Sequence, residues 1–325
     1  MTLALAPRHR RIPALSVPLL LLIGSAALYL GAALWTRSLN QLDVDGIVGL
    51  LQRMVALGTV ALGQTLVILC ASIDLSVGSM ISVAAVLASF IMRGAPAMMG
   101  PAVLVVLLVA AAVGTINGLV IAKLKVSPFI ATLGSGLILQ GVLSSSFNNF
   151  AGSVPPVFQA VAYGSIGPLP WSVLGLALLA LLVSWLFRST RFGAHVYAVG
   201  GNAAGARLAG IRTDRVIVQA HMLCSLLAGL TGLYLASRLR SGAPWVGRDG
   251  VYDLESIAVV VIGGTLLAGG RGGVWGTMAG VLLFAVIDAS FNMLGVPAFP
   301  KQVIRGAIVI AAVAVYSVLS KGHVA

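Results

Sequence analysis

The chain has 325 residues, 59% of them apolar and only 9% charged, with a mean hydropathy of +1.06. A soluble domain carries about 25% charged residues, so this composition excludes a water-exposed globule and calls for lipid around most of the surface. Long runs without alternation, such as 103–113, exclude an outer-membrane barrel, and the net charge of +12 reads as basic membrane-flanking loops, with no nucleic-acid partner implied.

Charges and turn residues cut the apolar sequence into ten predicted spans, near 12–36, 47–71, 76–93, 99–122, 127–147, 168–187, 213–236, 254–269, 273–294 and 301–320. The fold class is therefore all-α and polytopic, a single transmembrane domain over residues 1–325. The first span follows Arg8, Arg10 and Arg11. Its apolar stretch from Ile12 to Trp35 exceeds a signal-peptide core of about 7–15 residues, so it reads as a membrane helix and not as a cleaved leader.

Between the second and third spans lies ASIDLSVGSM, residues 71–80, which places Asp74 amid apolar sequence. A carboxylate there costs a few kcal/mol and tends to face a bundle interior or a water-filled path. Two readings stand side by side. Asp74 and its serines cap the ends of a broken helix, or they line a solute path together with Ser72 and Ser76. Gln64, Asn117, Ser127, Thr132, Gln140 and Asn292 also interrupt apolar helices. Interhelical hydrogen bonds account for such residues in general. Gln64, Asn117, Thr132 and Asn292 join the candidate path, whose hydroxyls and amides suit a neutral polyol.

The fourth and ninth spans share an echo, GTINGLVIA from Gly114 and GTMAGVLLF from Gly276, compatible with inverted repeats and equally with close helix packing. Between them, residues 188–215 form the longest and most basic inner loop, and Arg238 to Glu255 form a glycine-rich outer loop. GGTLLAGGRGG, from Gly263, lacks the Gly-Lys-Ser/Thr ending of a phosphate-binding loop and reads as a tight re-entrant turn; ATP chemistry is not expected in this chain. Asp288, near the outer end of span nine, faces Arg305 as a prospective partner. With the N-terminus inside, Lys123, Lys125, Arg188, Arg191, Arg207, Arg212, Arg215, Arg271 and Lys321 fall on inner ends, against the single acid Asp214. That asymmetry predicts both termini in the cytoplasm.

Enzymatic signatures are absent. His9, His195, His221 and His323 form no metal-spaced pair, no Gly-x-Ser-x-Gly elbow occurs, and Cys70 and Cys224 are isolated. No catalytic residue, metal site or cofactor is assigned. An ion-coupled secondary transporter using Asp74 or Asp288 is the first functional class these residues leave open, and an intramembrane enzyme the second.

Three stretches resemble the sugar-importing ABC permeases of the ribose type. The inner loop RFGAHVYAVGGNAAGARLAGIRTDRV carries Phe192, Gly193, Tyr197, Ala198, Gly200, Gly201, Asn202, Leu208, Ala209, Gly210 and Ile211 in the family's pattern. The second match is IDLSVGS, from Ile73, and the third YDLESIAVVVIGGTLLAGGRGGVWGT, from Tyr252; the resemblance runs over residues 47–320. It implies about ten spans with inverted repeats, a type II importer permease fold in a bacterial inner membrane, and a second permease subunit, identical or paralogous. It also implies a cytoplasmic ABC ATPase and a periplasmic sugar-binding protein as partners, with 188–215 as the coupling loop. Within that loop Gly200 and Gly201 would allow a sharp turn, Asn202 would cap a short helix of Ala203 and Ala204, Arg207 would pair with acids on the ATPase, and Leu208 and Gly210 would complete the contact. Two departures stand out. Ala71-Ser72 replaces Gly-Gly, and Gly205 sits where a small residue other than glycine is expected.

Overall fold

A computed structural model describes residues 16–297, 299–304, 306, 307 and 310. Among them the chain is almost wholly helical: α1 (Val17–Trp35), α2 (Val44–Leu69), α3 (Val77–Met92), α4 (Met99–Leu124), α5 (Pro128–Ser146), α6 (Pro156–Tyr163), α7 (Trp171–Ser189), α8 (Arg191–Gly201), α9 (Ala203–Leu208), α10 (Thr213–Leu239), α11 (Val246–Asp249), α12 (Tyr252–Ile262) and α13 (Val274–Met293). A two-stranded hairpin, β1 (Ser165–Ile166) with β2 (Leu169–Pro170), precedes α7.

Seven helices among the described residues are long and apolar enough to cross a bilayer: α1, α2, α4, α5, α7, α10 and α13. The third predicted span is the 16-residue α3. The eighth, 254–269, is corrected: α12 has 11 residues, about 16 Å at 1.5 Å per residue, roughly half a hydrocarbon core. The glycines that follow it turn the chain back into α13, as a re-entrant turn requires. Most of the tenth predicted span, with Arg305, lies outside the described residues, as does the basic start of the first.

Local chemistry explains the helix boundaries. Prolines occupy the first turns of α1, α5 and α6, where their missing N–H is harmless and their fixed φ suits a helix. The ends of α3, α4 and α10 carry Arg93, Lys125 and Arg240 in the left-handed region, with φ of 45°, 59° and 61°. A cation at the carboxyl end of a helix opposes the dipole there.

The centre of the bundle is the α2–α10 pair. α3 and α4 pack on α10, while α12 and α13 pack on α2. This cross-pairing is what an internal repeat relating α2–α4 to α10–α13 requires. The Gly-Thr motifs serve it unequally. Side chains at Gly114 or Gly118 would collide with the backbone of α10 at His221 and Val218, whereas at Gly276 or Gly280 they would collide with Gly263, just past the end of α12, and with Val259 within it. The echo therefore marks two close approaches and is not a strict copy. Outward faces are apolar: Leu137, Ile138, Leu178 and Trp185 stand exposed, a surface that lipid satisfies and water would not.

The two ends of the bundle are held by different ion pairs. At one, Asp214 at the start of α10 lies 3.4 Å from both Lys123 and Lys125. At the other, Asp288 of α13 pairs with Arg53 of the neighbouring α2 at 2.8 Å; the expected pairing with Arg305 lies outside the described residues. The segment after α10, expected as an outer loop, is partly internal. Gly247 is buried, its N–H donates to Ser82 Oγ at 2.9 Å, and any side chain there would strike the Gly78 carbonyl in the first turn of α3.

The α2–α3 break contains one strained residue. Ala71, at the departure from Gly-Gly, has φ of 57°, a conformation that costs an L-residue about 1–2 kcal/mol. Ala71→Gly is expected to raise stability by about 1 kcal/mol, read as a higher midpoint in thermal unfolding of the detergent-solubilised protein; an unchanged or lower midpoint would refute the strain.

Candidate functional site

The break is a buried polar knot, built from four helices. Asp74 is fully buried, and the 16-residue helix α3 begins three residues after it. Its Oδ1 accepts from the backbone N–H of Ser76 at 2.9 Å and from the Ser76 hydroxyl at 2.5 Å. That is an Asx turn, in which a short acidic side chain satisfies the backbone N–H of the residue leading into α3. Ser76 Oγ in turn accepts from Asn117 Nδ2 on α4 at 3.0 Å, and Asn117 Oδ1 accepts from Ser135 Oγ on α5. Thr132 of α5 closes the other side: its hydroxyl accepts the Leu75 N–H at 3.1 Å and donates to the Pro128 carbonyl at 2.8 Å.

The remaining oxygen of Asp74 meets a residue that sequence reasoning passes over. His221 of α10, also fully buried, places Nδ1 at 3.2 Å from Asp74 Oδ2 and Nε2 at 2.8 Å from Ser72 Oγ. Every partner is satisfied when Nδ1 carries the proton: it donates to the carboxylate, and Nε2 accepts the Ser72 hydroxyl. A single histidine on an apolar helix gives no local signal, because its partners lie 147 and 149 residues away. The order Ser–His–Asp also matches that of a nucleophile relay, yet Ser72 is only 4% exposed.

Of the proposed path residues, Ser72, Asp74, Ser76, Asn117 and Thr132 thus form one connected cluster. Gln64 lies beside it on α2. Its Oε1 accepts from Cys224 Sγ at 3.7 Å, and its buried Nε2 has no hydrogen-bond partner among the described residues, as is true of Ser225 Oγ. Asn292 is elsewhere. It sits exposed with Asp288 and Lys301 at the Arg53 end of α13, so the structure does not bring it to the knot. Among the described residues no group of acids, histidines and cysteines could hold a metal ion.

The stretch 188–215 is a folded element and not a loop. α8 starts on Thr190, whose hydroxyl accepts the Gly193 N–H at 3.1 Å. Asn202 caps α9 as expected, its Oδ1 accepting the Gly205 N–H at 2.9 Å. Gly210, at φ 81°, closes α9; the Ile211 N–H reaches back to the Ala206 carbonyl at 3.0 Å, a Schellman-type end. Ala206 faces the bundle, while Asn202, Ala203, Ala204 and Arg207 face out and Leu208 is 91% exposed. Arg207 Nη2 donates to Thr213 Oγ1 at 3.3 Å, tying α9 to the first residue of α10.

The reading of Gly200 and Gly201 as a sharp turn is corrected. Both belong to α8, and the chain turns at Asn202, whose φ is −158°. Gly200 is glycine for space: a Cβ there would overlap the Leu69 carbonyl at the end of α2. That same carbonyl accepts the Gly270 N–H at 3.0 Å, and Tyr197 donates to the Gly272 carbonyl at 2.9 Å. The glycine-rich turn after α12 therefore joins α8 to the threshold of the α2–α3 break.

Comparison with known proteins places the chain in a family. Residues 46–313 match the family model described as a branched-chain amino acid transport system permease component. The ribose import permease protein RbsC of Escherichia coli (strain K12) is 35% identical over 298 residues, covering 89% of this chain and 91% of that protein. RbsC of Bacillus subtilis (strain 168) is 36% identical over 276 residues, 84% of each chain, and the galactose/methyl galactoside import permease protein MglC of Haemophilus influenzae is 33% identical over 277 residues, 79% of this chain and 82% of that one. No solved structure matches. With the family model spanning most of the chain and near-full-length relatives above 30% identity, this multi-pass membrane protein belongs to the permease-component family of ABC importers.

Proposed function

We propose that the chain is the membrane-spanning subunit of an ABC importer that carries a monosaccharide into the cytoplasm, driven by ATP hydrolysis in a separate ATPase chain. The observation that carries this reading is α9: a capped helix anchored on one side by Ala206 and presenting Asn202, Ala203, Ala204, Arg207 and an almost fully exposed Leu208 on the other. Exposed leucine beside small residues and a cation is a docking face for a soluble partner with acids of its own. The chain has no phosphate-binding loop, so the nucleotide chemistry falls to that partner. The relatives named as ribose and galactose importers favour a monosaccharide cargo. The remaining partners are a periplasmic sugar-binding protein, a second permease subunit and the lipid bilayer. The protein sits in the inner membrane with both termini in the cytoplasm.

In this reading the knot around Asp74 holds a broken helix at the edge of the path, and Asp74 is a structural acceptor and not an acid catalyst. Gln64 Nε2 and Ser225 Oγ, two of the buried groups unpaired among the described residues, have hydrogen-bonding capacity to spare for a sugar when the bundle opens. A buried unsatisfied donor costs about 1–3 kcal/mol, which a ligand's hydroxyl would recover.

One observation favours a second reading. The Ser72–His221–Asp74 order would suit an intramembrane acyl-transfer enzyme. Labelling by a fluorophosphonate probe that disappears in Ser72→Ala would establish it. For the ion-coupled rival, uptake by this chain alone in liposomes under a proton or sodium gradient would overturn the importer reading. Both of its acids are engaged, Asp288 with Arg53 and Asp74 with His221.

The importer reading makes two outcomes measurable. Asn202→Pro and Arg207→Glu each abolish co-purification of the ATPase subunit while membrane insertion and span count are kept; unchanged co-purification of both removes α9 from the interface. Gln64→Leu raises thermal stability, by about 1 kcal/mol from the removed orphan donor, while sugar uptake falls about tenfold; a Gln64→Leu protein that transports normally takes Gln64 out of the path.

A further inference from the structure

His221 is the one side chain of α10 that grips the α2–α3 break through both ring nitrogens. Three features fix it there. Its own backbone carbonyl is pressed against Gly114 of α4, where no side chain would fit. The ring is fully buried and cannot swing toward solvent. Its partner Ser72 stands where the resembled sequences carry glycine, which has no hydroxyl to offer, so the serine supplies the second attachment.

The same helix touches the exposed α9 element at its first residue. Arg207 bonds Thr213, and Thr213 opens α10. Eight residue-to-residue steps of uninterrupted helix without proline, about 12 Å at 1.5 Å per residue, lead from Thr213 to His221. Beyond His221 the hydrogen bonds continue without a gap: Asp74 to Ser76, Ser76 to Asn117 of α4, Asn117 to Ser135 of α5.

We propose that His221 is the positioning residue through which α10 carries displacement of the α8–α9 element into the α2–α3 break, with Ser72 as its second point of attachment. This rests on the importer reading. His221 does not contact the cargo in this arrangement. It acts through the orientation of the Asp74 turn, and from there on the polar line to α5.

The test uses the full chain assembled with its ATPase subunit and binding protein in proteoliposomes, with D-ribose and D-galactose as probes and ATP hydrolysis measured in the same vesicles. In His221→Ala, uptake per ATP falls at least about tenfold, the worth of one hydrogen bond to a charged group, while hydrolysis stays within about twofold and the complex still co-purifies. His221→Asn, whose amide reaches the Nδ1 position and keeps the donor to Asp74, recovers more of the uptake than His221→Gln, which reaches the Nε2 position toward Ser72. Ser72→Gly, with an intact fold, lowers uptake per ATP by a smaller factor and shows what the second attachment adds. Should the alanine variant fail to assemble, the asparagine, glutamine and glycine variants decide the question alone. Wild-type uptake per ATP in these variants overturns the inference, as does an equal fall in uptake and hydrolysis in all of them, which would mark a merely structural residue. Absence of ATP-driven uptake in the wild-type complex, with variants and wild type alike, overturns the importer reading itself.

Discussion

A carboxylate in an apolar bundle has to be satisfied atom by atom, and Asp74 organises the structure around that requirement. The cost of an unpaired buried charge is several kcal/mol, so both oxygens recruit partners. Oδ1 takes the N–H and hydroxyl of Ser76, and Oδ2 takes the imidazole of His221. The first pair fixes where α3 begins. The second fixes the depth at which α10 passes the break. Because α10 also packs against α2 and α4, the position of one side chain is coupled to most of the helical core.

Glycine does the complementary work at the α8 side of the break. Three close backbone approaches there each use a glycine at which no Cβ fits: Gly200 against the Leu69 carbonyl, Gly269 against Ala71, Gly270 against Gly201. These approaches put the glycine-rich turn, α8 and the end of α2 in direct backbone contact. The knot is held by side-chain hydrogen bonds, and the junction beneath it by the absence of side chains.

Local features are legible in the sequence, and distant ones are not. The Asn202 cap and the α9 helix depend on a residue and its neighbour three positions on, so composition and spacing suffice. The all-helical membrane class comes from hydropathy alone, and the loop motifs carry the family. His221 escapes a sequence reading because a lone histidine among apolar residues carries no period and no motif; only the fold reveals that Ser72 and Asp74 surround it. The same holds for Arg53 with Asp288, 235 residues apart. α12 is shorter than its hydropathy suggests because apolar glycine-rich sequence is membrane-like without helix-forming character. A turn at Gly200 and Gly201 is reasonable on general grounds, whereas a tertiary contact explains Gly200.

The six-residue α9 has a mechanical meaning of its own. A helix of that length is far below what stands alone in water, and Gly205 in its middle costs about 1 kcal/mol relative to alanine. Its order is borrowed from the Asn202 cap, from Ala206 seated on the bundle and from Arg207 held by Thr213. Such an element has little rigidity to spare when its exposed face is empty and gains it when that face is covered. In the proposed importer it would act as a clutch, passing force into α10 most firmly while a partner covers its exposed face.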